Sequence, residues 1–340
     1  MLFQFFLVKY LFLLFGGIGD GYVLLITVLT GLLHCGPMIF ETKKSTWLGR
    51  FLSTVNGLWM WDSVMFFFVL LICHIAGIFV SLPFEVIVAL VVMVPILGIY
   101  NFYKAHKLVV NEETLVLGNL SRDINIAHLS DVHFGSVRHK GIIRDVSNKL
   151  KELEDICEMA IISGDLADGS SIVEKTDLLA FKEVNMPIIF TPGNHDFYPG
   201  MDNVIAACRE AGVIVLDNER IEIGDLNIFG LTFSFEDRET PKVDKSILNP
   251  DLVNIINYHV PYYWEEFSTL GFDVQLSGHT HGGQFYPVVL FAEMMFKYNK
   301  GLFKNDFGKY LHVTTGVGSM DTPMRWGTDS EIVILKLRKA

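Results

Sequence analysis

The first 103 residues hold four apolar runs of near-spanning length, and this constrains the fold before anything else does. Crossing the hydrocarbon core of a bilayer takes roughly 20 consecutive apolar residues. The runs "YVLLITVLTGLLHCGPMIF" (22–40), "SVMFFFVLLICHIAGIFVSL" (63–82) and "PFEVIVALVVMVPILGIYNFY" (83–103) reach that length with at most one acid each. A fourth, "MLFQFFLVKYLFLLFGGIG" (1–19), carries Lys9 near its middle. A cleavable signal peptide is a single short apolar stretch and is not followed by three more. Residues 1–108 therefore read as a transmembrane region of about four helices, with an amphipathic interfacial piece near 46–61.

Charge divides the chain the same way. Up to residue 110 there are six Lys/Arg and four Asp/Glu; the remainder carries 21 basic and 34 acidic side chains. The loop with Lys43, Lys44 and Arg50 is two crossings away from Lys104 and Lys107, so both basic groups lie on one side. The positive-inside rule places that side in the cytoplasm. The expectation is an integral inner- or plasma-membrane protein, in contact with the lipid bilayer, with everything after residue 104 cytoplasmic. No Lys/Arg cluster forms the basic patch that nucleic acid requires. Cys35, Cys73, Cys157 and Cys208 are far apart, which suggests neither a disulfide framework nor a thiolate metal site.

From about residue 123 short apolar runs alternate with amphipathic segments. "INIAHLS" (124–130), "MAIIS" (159–163), "PIIFT" (187–191), "LVNIINY" (252–258) and "FDVQLS" (272–277) read as buried strands. Segments 140–157, 171–185 and 200–211 have helical period, "RIEIGDLNIFG" (220–230) reads as a hairpin, and "YLHVTTG" and "EIVILKL" add closing strands. Such α/β folds bind ligands just beyond the carboxyl ends of their strands.

Each strand exit presents an oxygen or imidazole donor. The first is followed by Asp131 and His133, the second by Asp165, the third by Asn194, His195 and Asp196. The fourth ends in His259, and the fifth delivers His279 and His281. Donors converging on one rim would be costly to leave uncompensated, and divalent cations compensate them economically. A single zinc site takes three or four ligands; a larger donor set such as this suits two ions about 3.5–4 Å apart. Nitrogen and oxygen donors without thiolate favour Mn, Fe or Zn. Two such ions would generate hydroxide at neutral pH for attack on phosphorus.

The series "SDVH", "SGDL", "GNHD", "YHVP" and "GHTHGGQ" resembles the calcineurin-like metallophosphoesterase family, and "GVGSMDTPMRWGTDSEIVIL" (316–335) resembles its membrane-attached bacterial phosphodiesterase-like subgroup. The resemblance covers about 120–338, none of it in the apolar front. It implies a metallophosphoesterase-type four-layer α/β/β/α sandwich over 120–340, preceded by the α-helical transmembrane region. It also implies that Asp131, His133, Asp165 and His281 hold one metal, and that Asp165 (shared), Asn194, His259 and His279 hold the other. His195 would meet a phosphate oxygen, with Asp196 orienting it.

Arg325, in "TPMRWG", is a candidate phosphate clamp; Arg138 and His139 are candidate entrance residues, and His128 and His312 read as structural. Segment 285–307 mixes Phe291, Phe296, Tyr298, Phe303 and Phe307 with Lys297, Lys300 and Lys304, either as a headgroup-boundary segment or as a loop packed over the core. The lipid reading points to a phosphodiester or pyrophosphate in a lipid-linked substrate, a nucleotide-diphosphate lipid such as UDP-diacylglucosamine being one example. The alternatives are a phosphodiesterase for small soluble or nucleotide diesters and, outside enzymes, a membrane scaffold or sensor with a metal-binding domain. A transporter fits poorly, because the spans hold few charges.

Overall fold

The computed structural model describes residues 1–40, 45–135, 137–235 and 240–340, the side chains of 37–40 excepted. The apolar front forms α1 (Leu2–Leu13), α2 (Asp20–Phe40), α3 (Trp47–Phe79) and α4 (Phe84–Ala105). Among the described residues, α3 and α4 are long and apolar enough to cross a membrane. At 1.5 Å per residue α4 is about 33 Å long, close to the thickness of a hydrocarbon core. The 12 residues of α1 cover only about 18 Å, too short for the fourth span expected from 1–19. Gly16 and Gly17 end that stretch with positive φ. The interfacial piece expected near 46–61 is continuous with the following span in one 33-residue helix. Lys43 and Lys44 lie outside the described residues.

Behind the bundle stand two six-stranded sheets. In sheet order the first is β1 (Leu108–Leu117), β12 (Ser330–Lys339), β2 (Ile124–Leu129), β3 (Met159–Ser163), β4 (Ile188–Thr191) and β5 (Ile214–Val215). The second is β10 (Gly301–Lys304), β11 (Tyr310–Val313), β9 (Val274–Ser277), β8 (Val253–Tyr258), β7 (Leu226–Leu231) and β6 (Glu219–Ile223). Strands β2 to β5 run parallel, as do β7, β8, β9 and β11, so their carboxyl ends gather at common edges.

Strand alternation produces the layers. Ile126, Ile161, Ile189, Ile228, Ile255 and Leu276 fill the space between the sheets. Ala127, Leu129, Ala160 and Ile162 point the other way, onto α5 (Lys140–Leu153) and α6 (Met201–Glu210). The outer face of the second sheet packs Phe229, Ile256 and Tyr258 against Phe267 of α7 (Trp264–Leu270). This is the four-layer sandwich implied by the resemblance.

Two differences from the sequence reading stand out. The sheet begins at Leu108 rather than near 120, because β1 pairs in parallel with β12 along ten residues, its polar Asn111-Glu112-Glu113 notwithstanding. Segment 171–185, expected as a helix, contains only the short 3₁₀ turn Leu179–Glu183. The Asp177 carboxylate accepts from the Glu174 N–H at 2.8 Å and pairs with Lys140 at 3.1 Å. Such local side-chain acceptors compete with the helical ladder.

Candidate metal centre

The backbone leaves the strands in a conformation that L-residues avoid. Asp131, His133, Asp165, His279 and His281 have φ of 50, 50, 53, 71 and 49°. Non-glycine residues there cost on the order of 1–3 kcal/mol each and persist where the surroundings over-determine them. Cross-loop bonds supply that constraint: the N–H of Asp131 donates to Gly164 O at 3.0 Å and that of His133 to Asp165 O at 3.1 Å. Gly278 N–H donates to His259 O at 2.9 Å. Glycine is required at the closest approaches. A Cβ on Gly193 would strike the Asp165 carboxylate, and one on Gly278 would strike Ser130 and Asp131.

Two clusters of ligand-type atoms result: Asp131, His133 and His281; and Asp165, His259 and His279. In the first, Asp131 Oδ2 accepts from Ser130 Oγ and from His279 N–H. Its Oδ1 has no hydrogen-bond partner and lies 3.7 Å from His133 Nε2 and 3.4 Å from His281 Nε2. Those two ring nitrogens are themselves 3.0 Å apart. In the second, His259 Nδ1–H donates to Ser163 O at 2.7 Å, which turns Nε2 into a lone pair. That lone pair faces Asp165 Oδ2 at 3.1 Å, outside hydrogen-bonding direction. His279 Nδ1 stands 3.1 Å from Asn194 Oδ1. Buried acceptors at such distances repel unless a cation lies among them. The donor sets therefore fit two divalent ions, in the grouping the sequence suggested for six of the seven ligands, with Asn194 beside the second.

Electrostatics agree. Burial opposes charging His259, yet the neighbouring Asp165 carboxylate raises its pKa to about 10, so the site draws positive charge to Nε2. Burial and the adjacent His259 push His279 down to about 4. Burial, then repulsion from Asp165, pushes Asp196 up to about 7. Both raised groups add stability only while protonated in the fold. His259 contributes below about 6.5 and loses this as pH rises toward 10; Asp196 contributes below about 3.9 and loses it through about 7. Metal-free protein in EDTA is therefore expected to melt at progressively lower temperature from pH 6.5 to 9.5. Metal-loaded protein should not, since the ions replace the protons; parallel melts with and without EDTA compare the two.

Two predicted roles are corrected by the geometry. Asp196 does not orient the His195 ring. Its carboxylate accepts N–H groups of Asp165, Ala167 and Gly193 at 2.8–2.9 Å, clamping two ligand loops together. The His195 ring is oriented instead by Asp168 O, 2.8 Å from Nδ1, and its N–H donates to Asp165 Oδ1 at 2.8 Å. Arg325, expected as a phosphate clamp, is 0% exposed. Its guanidinium donates to the carbonyls of His281, Gly316 and Gly318 and to Thr328 Oγ1, and stands 3.2 Å from His281 Nδ1. With those donors spent inside the protein, it holds the Asp131–His133–His281 cluster from behind.

His128 and His312 are structural, as read, but their role was not foreseeable. His128 bridges His312 and Ser163, and Ser163 donates to Asn257, which reaches Thr191 at 2.9 Å. This buried polar chain ties both sheets together beneath the metal loops. Arg138 pairs with Asp145 and shares a small cavity with His133, Val137, Ser319 and Pro323, while the His139 ring packs on Phe134. Segment 285–307 divides: Tyr298 and Phe303 pack over Trp264 and Leu311, while Phe291 and Phe307 are exposed.

Comparison with known proteins gives the same answer. A family model described as calcineurin-like phosphoesterase matches residues 124–283. A Helicobacter pylori protein named uncharacterized metallophosphoesterase is 28% identical over 236 residues, covering 67% of this chain and 63% of that protein. One of the same name from Aquifex aeolicus is 28% identical over 261 residues, covering 72% and 97%. A Danio rerio transmembrane protein with metallophosphoesterase domain is 25% identical over 237 residues, covering 64% and 54%. This chain thus spans less than two thirds of the Helicobacter and Danio relatives. The matched stretch runs from β2 to the glycines after His281, and residues 124–283 accordingly form a domain that matches the calcineurin-like phosphoesterase family.

Proposed function

We propose that this is a membrane-anchored, dinuclear-metal phosphoesterase that hydrolyses a phosphodiester or pyrophosphate bond in a lipid-linked substrate. Asp131, His133, Asp165 and His281 would hold one ion; Asp165, Asn194, His259 and His279 the other. When bound, such ions supply a nucleophile at neutral pH and neutralise phosphoryl oxygens. The chain's own part is positioning. Ser163 O fixes the imidazole of His259, accepting from its Nδ1–H. With its Nδ1 held at Asp168 O, the His195 ring stands 5.0 Å from that of His133, placed to meet the leaving oxygen.

The observation that carries the lipid reading is where the metal cleft meets the bundle. The cavity touching His133 and Arg138 is closed on another side by Ala105 and His106, the end of α4. No flexible tether intervenes, since β1 follows at Leu108. The junction is also locked: Ser330 Oγ donates to Ala105 O at 2.9 Å, Lys104 pairs with Asp329 at 3.0 Å, and Arg325 N–H donates to Asn101 O at 3.2 Å. Exposed Phe79, Tyr22 and Ile99 on the helices suit a lipid surround. Lys104, Lys107 and Arg50 at one end of the α3–α4 pair support a cytoplasmic domain.

Purified protein reloaded with Mn, Fe or Zn after chelation should recover hydrolysis that EDTA abolishes, at close to two ions per chain. Detergent-dispersed lipid pyrophosphates should then be cleaved in preference to water-soluble diesters. A strong preference for the soluble diester would remove the lipid claim, and the absence of stoichiometric metal would remove the enzyme claim.

A further inference from the structure

The segment after the metal loops contains a short helix, α8 (Val288–Met295), whose sequence "VVLFAEMM" is apolar on nearly every side. Val289 and Ala292 face the domain and are buried. Leu290, Phe291, Met294 and Met295 are 52, 55, 83 and 76% exposed. Leaving four large apolar side chains in water on eight residues is costly: full burial of one contributes about 1.5–3 kcal/mol. The bundle, not the domain core, indicates what covers them. Phe285, just ahead of α8, and Trp326, whose ring meets Tyr286 at 5.6 Å, pack into one cluster with Trp61 of α3 and with Val94 and Phe102 of α4. Trp61 also lies against Gly98, so this cluster sits near the end of α4 from which the domain emerges. This cluster ties the start of α8 to the α3–α4 pair. The helix therefore starts against the bundle and carries its uncovered apolar face away from the domain. Lys297 and Lys304, both exposed, follow it, and Glu293 is exposed within it. That combination suits headgroup level rather than the acyl core.

We propose that α8 is a second membrane contact, an interfacial helix laid into the headgroup–acyl boundary beside α3 and α4. It rests on the membrane reading above and deepens it. His279 and His281 lie a few residues ahead of α8, and the ring of Phe296, its C-cap, stands 6.0 Å from that of His279. Bilayer contact by α8 thus brings the second metal cluster to the lipid surface.

The test uses nitroxide labels on the full chain in phosphatidylcholine–phosphatidylglycerol nanodiscs. The background is Cys35→Ala, because Cys35 is exposed whereas Cys73, Cys157 and Cys208 are buried. Labels go at Phe291→Cys and Met294→Cys, with Ile99→Cys on α4 as the lipid reference and the exposed Glu152→Cys on α5 as the water reference. Collision with oxygen against a water-soluble nickel chelate reads the depth. We expect the oxygen-to-nickel ratio at 291 and 294 to be several-fold above that at 152 and to approach that at 99. Values at 291 and 294 matching 152, with 99 lipid-like, overturn the α8 proposal alone. A water-like 99 overturns the membrane reading and this inference with it.

Discussion

Asp165→Asn is expected to reduce kcat/KM on a simple diester by on the order of 10³, about 4 kcal/mol of transition-state stabilisation. The substitution preserves volume and leaves one carbonyl oxygen for the His195 N–H, so folding should survive. What it removes is the negative charge facing His259 Nε2 at 3.1 Å. Without that charge the second cluster keeps only neutral donors, and metal content should fall from two ions toward one or fewer. Elemental analysis on the same sample as the kinetics decides the cause. Full activity with two ions bound would show that Asp165 is not a ligand, and would undo the proposed centre. Retained cellular function with turnover abolished would favour a scaffold or sensor.

Arg325→Met is expected to be a stability mutant, not a substrate-affinity mutant. The side chain is 0% exposed and satisfies the buried carbonyls of His281, Gly316 and Gly318. His281 O keeps the Gln284 N–H and Gly316 O the Glu331 N–H, so Gly318 O is the acceptor left without a donor, at a cost of roughly 1–3 kcal/mol. For a domain of this size the melting temperature should drop by about 5 °C. Lysine should not rescue it, because a point ammonium cannot reproduce the planar fork. A surface clamp would behave oppositely, raising KM while leaving the melting temperature in place. Thermal melts of the metal-loaded variant, set beside its KM, separate the two roles.

Much of the site was legible in the chain itself. Asp131, Asp165, Asn194, His259 and His279 each follow an apolar run of strand length, and a run of that kind dictates where its exit lies. The two clusters contain six of the residues picked out that way. What local pattern could not show was the partner of each remaining group. Asp196 sits next to His195 in sequence, which suggested a pair; in the fold its oxygens reach Asp165 and Ala167, about thirty residues away. Arg325 lies in a loop rich in turn residues, where solvent exposure is the ordinary expectation; the fold buries it against His281. Strand β1 reads as polar because it carries Asn111, Glu112 and Glu113, and only pairing with β12 makes it a strand.

By itself, then, the sequence determined the apolar front, the parallel strands and the donors at their exits. Each of these follows from a repeat or a spacing along one segment, set by helix and strand geometry. Tertiary structure alone decided that α4 ends beside the small cavity at His133, that α8 bares its apolar face, and that Asp196 and Arg325 brace the loops. Those outcomes depend on burial and on hydrogen bonds between segments up to hundreds of residues apart, and no local pattern encodes which distant group will be there to meet a side chain.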